Sequence, residues 1–247
     1  NHHNNIKKGN KTMTSVKGKW ALITGASRGI GRLTALFMAE QGCNLVLHSR
    51  SLEHTKVIMA AVKELGVEAY GVQADLANHQ EVVGMLDEIE TKATAIDIVF
   101  NNAAVQIAYR TDYWKTPIED FDMSFRINFI AVTTICYRLI PPMIERGFGR
   151  VINTTSGIKD QPEQAGYSAS KAALDKFTTD LGTKLDGTGV LINLTDPGWC
   201  RTDLGGPQAP NSPESSIPGV VVGAFVDDAK SGRFLSASHF ADMSLED

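Results

Sequence analysis

The stretch Thr24-Gly25-Ala26-Ser27-Arg28-Gly29-Ile30-Gly31 decides how the rest of the chain is interpreted. A short apolar run at residues 20–24 precedes it and predicts a strand, and an amphipathic segment at residues 29–41 predicts a helix. Glycines between a strand and a helix permit a tight turn and let a pyrophosphate approach backbone N–H groups at the helix N-terminus. The spacing is G-x-x-x-G-x-G rather than G-x-G-x-x-G, so the stretch taken alone also fits a simple tight turn.

Short apolar runs alternate with amphipathic segments of helical length beyond this turn. Ser51 is a candidate helix cap, and Gly42 and Gly66 are candidate helix stops. Strands separated by helices imply parallel pairing with right-handed crossovers. The sequence therefore predicts an α/β fold, a doubly wound parallel sheet (Rossmann fold) in three αβα layers, as a single domain over residues 13–247. The further predicted strands are 43–48, 67–74, 96–100, 151–154 and 190–194, and the further helices are 51–65, 80–92, 121–144 and 168–185.

Charge and hydropathy narrow the classes of partner. The formal net charge of −4 and the absence of a basic run predict no nucleic-acid partner. No apolar stretch approaches the roughly 20 residues that cross a bilayer, so no membrane partner is predicted. The three cysteines (Cys43, Cys136 and Cys200) are widely spaced, which argues against a disulfide framework or a zinc site and indicates a cytoplasmic protein.

The N-terminal residues 1–12 are polar and basic without a hydrophobic segment, so they do not form a secretory signal. We expect a disordered or expression-derived leader here, and Met13 is a plausible natural start. His2 and His3 are better explained by such a leader than as metal ligands. No metal site is predicted.

Several motifs follow the predicted strands in a fixed order. Asn101-Asn102-Ala103-Ala104 follows the fourth strand, Tyr167-x-x-x-Lys171 opens the last helix, and Pro197-Gly198 follows the last strand. With the glycine turn, this pattern resembles the short-chain dehydrogenase/reductase family over residues 18–204. The remaining residues that carry the resemblance are Asp75, Asn128, Ser156 and Thr202.

The resemblance implies a role in catalysis or cofactor binding for each of these motifs. Lys171 would hold the nicotinamide ribose as well as act in catalysis, and Asn128 would help maintain a water path for protons. The implied catalytic residues are Asn128, Ser156, Tyr167 and Lys171. The implied cofactor-binding residues are Gly25, Ser27, Arg28, Gly29, Ile30, Gly31, Ser49, Arg50, Asp75, Leu76, Asn102, Ala103, Tyr167, Lys171, Pro197, Gly198 and Thr202.

Tyr167 and Lys171 are suited to proton transfer independently of any family. They lie four residues apart, so on a helix they share one face. A carbonyl that accepts hydride also needs a proton, which a phenol supplies if a neighbouring ammonium lowers its pKa toward neutrality. Ser156 can stabilise the developing alkoxide by a hydrogen bond. The Tyr/Lys spacing alone would also fit a surface pair on an amphipathic helix.

Residues 43–50 predict NADP(H) as the cofactor. An NAD-selective site needs a carboxylate at the end of the second strand, and this segment holds no Asp or Glu. Ser49 takes that position, and Arg50 follows it. Arg50 can bind the 2′-phosphate that distinguishes NADP(H) from NAD(H), and Arg28 in the glycine turn can approach the same phosphate, because guanidinium groups suit phosphates. The alternative is that both arginines are solvated surface residues.

The substrate side is less determined by the sequence. Residues 205–218 are rich in Gly, Pro and Ser and predict a long loop, within a substrate-loop region near 203–218 that is either a mobile lid or an ordered interface segment. Cys200 lacks a neighbouring activating base, so we expect passive packing rather than a catalytic thiol. Trp199, Trp114, Tyr109 and Gln106 are candidates either for the pocket wall or for core filling.

These observations predict an oxidoreductase that moves a hydride between NADP(H) and a carbonyl or secondary alcohol. A 3-oxoacyl thioester, a steroid ketone, a sugar and a small ketone or aldehyde all remain open as substrates. The alternative function is a dinucleotide-binding sensor or scaffold without turnover. The family resemblance implies a homodimer or homotetramer, although the chain lacks the family's frequent Val-Asp-Gly-Gly ending and has a shortened spacing between Ser156 and Tyr167.

Overall fold

The computed structural model describes residues 13–241, so the predicted leader at 1–12 lies outside the described residues. Within residues 13–241 the chain forms seven strands and seven α-helices. The strands are β1 (Trp20–Ile23), β2 (Asn44–Ser49), β3 (Ala69–Gln73), β4 (Ile96–Asn101), β5 (Gly149–Thr154), β6 (Val190–Asp196) and β7 (Phe234–Ser236). The helices are α1 (Gly29–Glu40), α2 (Lys56–Glu64), α3 (His79–Thr91), α4 (Ile118–Phe125), α5 (Ala131–Arg146), α6 (Ala165–Gly182) and α7 (Val222–Phe225).

The strands form one sheet in the order β3-β2-β1-β4-β5-β6-β7. Every neighbouring pair is parallel, which the helical crossovers require. The order reverses between β1 and β4, because the chain winds first to one side and then to the other. The predicted doubly wound sheet is confirmed, and its switch point lies between the two strands that precede the glycine turn and Asn102.

Side chains of each strand alternate between two apolar cores. Leu22 of β1 packs with α3, α5 and α6 on one face, whereas Ala21 and Ile23 pack with α1, α2 and α7 on the other. Because both faces are covered, the central strands are buried almost throughout, as expected for a parallel sheet. The three-layer αβα arrangement follows from this burial.

Two helix boundaries differ from the prediction in ways that affect the candidate site. Helix α6 begins at Ala165, three residues before the predicted start, because a 3-10 turn at Pro162–Gln164 leads directly into it. Tyr167 therefore lies in the first turn of α6. The predicted helix at 121–144 starts at Ile118 and is interrupted by a π-helical segment, Arg126–Ile130, in which the Ala131 N–H donates to the Arg126 carbonyl five residues back.

The continuous helix from Ile118 to Arg146 has 29 residues and is long and apolar enough to cross a bilayer by length and composition. The prediction that no apolar stretch approaches that length is therefore wrong. The core helix of a soluble domain has the same composition, and α5 buries one face against β4, β5 and α3. Its composition is weak evidence for a membrane span.

A buried arginine fastens the C-terminal segment to the amino-terminal edge of the sheet. Arg150, at the start of β5, is 1% exposed, and its Nε donates to the Val226 carbonyl at 2.7 Å. Its second terminal nitrogen, Nη2, lies 2.8 Å from the Asp227 carboxylate, and the ring of Phe148 packs against the guanidinium. These contacts satisfy the buried charge and direct the chain into β7, a short strand that the sequence did not predict.

We expect Gly31→Ala to destabilise the protein, because a Cβ there would lie 2.1 Å from the Gly25 carbonyl oxygen and 2.6 Å from Nδ2 of Asn102. Overpacking of this kind costs about 1–3 kcal/mol. Gly84→Ala is the matched control, because a Cβ at this α3 position meets nothing within 4 Å and should gain up to about 1 kcal/mol of helix propensity. Urea unfolding measures both, and a Gly31→Ala protein as stable as the parent would contradict the packing argument.

Candidate active site

The glycine-rich turn is locked to the end of β4 at the switch point of the sheet. Oγ1 of Thr24 accepts hydrogen bonds from the Asn102 and Ala103 backbone N–H groups, both at 3.0 Å. The side chain of Asn102 donates in return to the carbonyls of Thr24 at 3.1 Å and Gly25 at 3.4 Å. Gly25 adopts a φ of +65°, which favours glycine, and the close approach of Asn102 requires the missing side chain at Gly31.

The N-terminus of α1 points into this crevice without a capping group. Arg28 occupies the N-cap position without a side-chain cap, and the first turn of the helix contains no acidic residue. The first N–H groups of a helix carry partial positive charge and need acceptors. Ser27, Gly29 and Ile30 lie partly buried around this end. The arrangement fits a phosphate group, as the sequence predicted for this turn.

His48 ties the glycine turn to the end of β3. Its Nδ1 accepts from the Gly25 N–H at 3.1 Å, which places the ring proton on Nε2, and Nε2 lies 3.0 Å from the Ala74 carbonyl oxygen. The ring is 2% exposed, and burial lowers its pKa below the usual value. His48 therefore acts as a neutral bridge between two loops at the carboxyl edge.

His48 is a functional contact that was not predicted, although a histidine in an otherwise apolar strand is a visible signal in the sequence. Thr24 was likewise not predicted as a hydrogen-bonding residue. Both act on the backbone of the turn rather than on a ligand.

Ser156, Tyr167 and Lys171 lie together where β5 and β6 end. Tyr167 and Lys171 are buried on one face of α6, and Nζ of Lys171 is 5.8 Å from the centroid of the Tyr167 ring. The same Nζ donates to the Thr154 carbonyl at 2.7 Å. Ser156 is two residues beyond the end of β5, and its Oγ accepts from the Ile158 N–H at 3.2 Å.

The electrostatics of this cluster differ from the prediction. Burial raises the pKa of Tyr167 above its usual value, a hydrogen bond from Ser156 opposes this rise, and the charge of Asp196 adds to it. The prediction that Lys171 lowers the pKa of Tyr167 toward neutrality is therefore wrong for this structure. Lys171 is itself desolvated, and burial lowers its pKa to about 8 against the attraction of Asp175 and Asp196.

Asn128 lies in the π-helical segment and is fully buried. Its side-chain amide pairs with both backbone groups of Val105 at 2.9 Å, and Nδ2 also lies 3.1 Å from Oγ of Ser170. Asn128 therefore joins the irregular segment after β4 to helix α6 at Ser170, the residue that precedes Lys171. π-Helical turns of this kind occur frequently at functional sites.

The residues predicted to recognise the adenosine end lie at the ends of β2 and β3. Ser49 is buried, Arg50 is exposed, and Leu76 is buried beside the exposed Asp75. The Asp75 carboxylate accepts from the Ala77 N–H at 2.9 Å.

Arg28 has an acidic partner in this structure. Its guanidinium forms a 2.8 Å ion pair with Asp203, which follows Thr202, and both side chains are largely exposed. A bound phosphate would therefore compete with Asp203 for Arg28, a partner that the sequence analysis did not foresee.

The chain after β6 folds over the start of α1. Pro197 and Gly198 follow Asp196, whose carboxylate accepts from the Gly198 N–H at 2.9 Å and from the Gly157 N–H at 3.1 Å. These two hydrogen bonds make Asp196 a turn residue. The Thr202 side chain reaches Gly29, because a Cβ on that glycine would lie 3.4 Å from its methyl group.

The predicted loop at 205–218 is held by contacts with Arg201 and packs against α1. The Arg201 N–H donates to the Asn211 carbonyl at 2.8 Å, its guanidinium donates to the Pro210 carbonyl at 2.7 Å, and Pro213–Ser216 forms a 3-10 turn. Cys200 is buried, and burial raises the pKa of its thiol, in agreement with passive packing.

The aromatic candidates for the substrate wall do not fill the core. Trp114 is 86% exposed, and Trp199 and Tyr109 are each 59% exposed, so the alternative of core filling is wrong for them. Gln106 is exposed as well. No cluster of three or more His, Cys, Asp or Glu side chains suited to a metal ion occurs among residues 13–241.

The fold and this crevice define a Rossmann-type α/β protein, a class that binds its ligand where the strand order reverses. The family model described as short chain dehydrogenase matches residues 19–212. The chain belongs to this family and is an oxidoreductase of that class.

Known proteins agree with this assignment. The chain is 35% identical over 195 residues, 78% of both chains, to a 3-oxoacyl-[acyl-carrier-protein] reductase of Synechocystis sp.. Among solved structures it resembles an NAD+-bound xylitol dehydrogenase, with 28% identity, a TM-score of 0.78 and coverage of 90% and 98% of the two chains. A metagenomic short-chain oxidoreductase in complex with NADP also has 28% identity, with a TM-score of 0.69 and coverage of 75% and 84%.

We expect the free energy of unfolding to fall between pH 7.5 and pH 5.5 because of His48. A histidine whose pKa is lowered by folding binds more protons in the unfolded chain, so its stabilising contribution is present above the unfolded pKa of about 6.5 and is lost as the pH falls below it. In His48→Asn, which keeps an acceptor near the Gly25 N–H, the fall should be smaller. His54→Asn, at an exposed histidine, is the control. Urea titrations at both pH values measure the effect, and equal pH dependence in all three proteins would contradict it.

Proposed function

We propose that the chain is an NADP(H)-dependent reductase of carbonyl groups, with Tyr167 as the proton donor and Ser156, Lys171 and Asn128 completing the catalytic set. The observation that carries the proposal is the buried pair of Tyr167 and Lys171 on α6, with Ser156 beside the phenol, where it opposes the rise of the phenol's pKa. This pair lies at the same edge of the sheet as the glycine turn. A sensor without turnover has no use for a buried ammonium beside a buried phenol.

The residues at the switch point fit a dinucleotide. The uncapped N-terminus of α1 offers N–H groups to a pyrophosphate. Gly25 and Gly31 let the turn that leads into this helix pack closely against Asn102 and Ala103. The proposed holders of the cofactor are those predicted from the sequence, with Asp75 and Leu76 at the adenine end and Pro197, Gly198 and Thr202 toward the nicotinamide end. When bound, the nicotinamide supplies or accepts the hydride.

The chain's own residues then move the proton. The raised pKa of Tyr167 keeps its phenol protonated at neutral pH. Hydride addition to a carbonyl carbon leaves an alkoxide, a much stronger base than a phenolate, so the proton passes from Oη of Tyr167 to the substrate oxygen. Ser156 donates a hydrogen bond to that oxygen as charge develops, and the Lys171 ammonium stabilises the phenolate left behind. In this protonation state Tyr167 can donate a proton, as reduction requires.

The substrate class best supported is a 3-oxoacyl thioester. The Synechocystis relative bears the name of a reductase of such compounds and is matched over most of its length. Sugars remain the second class to test, because a xylitol dehydrogenase shares the fold at 28% identity. We place the exposed Trp199, Trp114 and Tyr109, together with the loop at 203–218, on the substrate side.

We also propose a second copy of this chain as a partner, since enzymes of this family are commonly oligomeric. The exposed apolar side chains of Ile118, Met123 and Tyr137 on α4 and α5 support a shared helical face. A cytoplasmic location is supported by the three buried, free cysteines.

We expect Tyr167→Phe to lower kcat for 3-oxoacyl thioester reduction by roughly 10²–10⁴-fold, the contribution typical of a general acid. The ring volume is kept, so folding and NADPH binding should persist. Tyr137→Phe is the matched control, because it removes a phenol from an exposed position on α5. NADPH oxidation followed by absorbance measures turnover, and a Tyr167→Phe enzyme with more than half the parental kcat would exclude this residue as the acid.

For cofactor choice, we expect Arg50→Ala to raise the KM for NADPH about ten- to hundredfold and to leave the KM for NADH almost unchanged, because charge-assisted hydrogen bonds contribute roughly 1.5–3 kcal/mol. Asp203→Asn should lower the KM for NADPH by freeing Arg28. Lys184→Ala, which removes an exposed charge at the opposite edge of the sheet, is the control. Equal kcat/KM for NADH and NADPH in the parent enzyme would refute the preference before any variant is made.

A further inference from the structure

Asp175 is a half-buried carboxylate that the proposed reaction does not use. It lies on α6, one helical turn after Lys171, on the side that faces the end of β5. Its Oδ1 accepts a hydrogen bond of 2.5 Å from Oγ1 of Thr155. Burial raises the pKa of Asp175, while this hydrogen bond and the charge of Lys171 lower it. A carboxylate with these contacts is fixed in place rather than solvated.

The end of β5 holds the two opposite charges with adjacent residues. The Thr154 carbonyl accepts from the Lys171 ammonium at 2.7 Å, and the Thr155 hydroxyl donates to Asp175. The Thr155 backbone is itself fixed, because its N–H donates to the Thr195 carbonyl of β6 at 2.8 Å. Both charged side chains are therefore positioned relative to the same two residues of the sheet.

A buried ammonium needs a compensating charge to remain protonated. The titratable groups that face Lys171 are Asp175 and Tyr167 on its own helix and Asp196 at the end of β6. Asp196 already accepts two backbone hydrogen bonds in its own turn. Asp175 acts on Lys171 more strongly than Asp196 does.

We propose that Asp175, fastened by Thr155, is a positioning residue that keeps the Lys171 ammonium charged beside Tyr167. This inference deepens the proposed function and rests on it for its catalytic consequence, but the electrostatic coupling itself is a property of the folded chain. Asp175 touches neither substrate nor cofactor in this role and acts through Lys171.

The test is Asp175→Asn, with Asp180→Asn as the matched control on the same helix. Asp180 is exposed and pairs with Lys176, so its loss should leave the titration of Lys171 unchanged. The titration of Lys171 is followed by NMR in protein labelled with 13C-lysine, with the signal assigned from Lys171→Met. Loss of an opposite charge nearby should lower the pKa of Lys171 by about one unit.

The kinetic counterpart is the pH dependence of kcat/KM. Asp175→Asn should lose activity at pH 8, where the ammonium would be deprotonated, and recover toward the parental value at pH 6.5. A merely structural role would lower activity at both pH values. Thr155→Val should move the Lys171 titration in the same direction by a smaller amount, and it replaces Asp175→Asn if that variant does not fold.

An unchanged Lys171 titration in folded Asp175→Asn, or in Thr155→Val where that variant stands in, would overturn the inference. If no carbonyl compound is reduced by the parent protein, the proposed function fails while the NMR titration still decides the coupling. A shifted Lys171 titration with unchanged kcat/KM at pH 8 would show that the coupling of Asp175 to Lys171 has no effect on turnover, and would overturn that part of the inference.

Discussion

The contact between the start of α1 and the ends of β1 and β4 is the constraint on which the rest of the structure depends. Because Gly31 has no side chain, the Asn102 amide reaches the carbonyls of Thr24 and Gly25. The Thr24 hydroxyl oxygen in turn accepts a hydrogen bond from the Asn102 backbone N–H. This lock joins two strands that are 72 residues or more apart in sequence. It brings the positive end of α1 to the crevice where the strand order reverses. The glycine turn and the reversal of strand order therefore lie at the same site.

The half of the site that we propose to be catalytic is held together in a different way. Lys171 is fully desolvated, and one carbonyl, that of Thr154, accepts from its ammonium at 2.7 Å. Such a charge costs free energy of folding, which the two apolar cores on either side of the sheet must offset. The chain keeps this unfavourable group where β5 and β6 end, beside Tyr167. Backbone contacts thus shape the proposed cofactor side, and buried charged and polar groups shape the proposed reacting side.

The sequence predicted those features that short-range patterns determine. The glycine turn, the alternation of strands and helices and the shared face of Tyr167 and Lys171 all depend on residues within a few positions of one another, and the structure contains each of them.

Features that depend on distant residues could not be predicted in this way. The π-helical turn is accompanied by a pairing of Asn128 with Val105, and Arg28 meets Asp203 across 175 positions. The direction of the pKa shift of Tyr167 depends on burial, which only the packed structure determines. The Arg150 anchor, finally, lies at the edge of the sheet opposite to Tyr167 and Lys171 and secures the chain at Val226, whereas the contacts of Thr202 and Asp203 secure it at the crevice. Insertions and deletions between these two fixed ends, within residues 205–218, can therefore accumulate while both ends stay in place, which allows descendants of one ancestor to diverge in the molecules they accept.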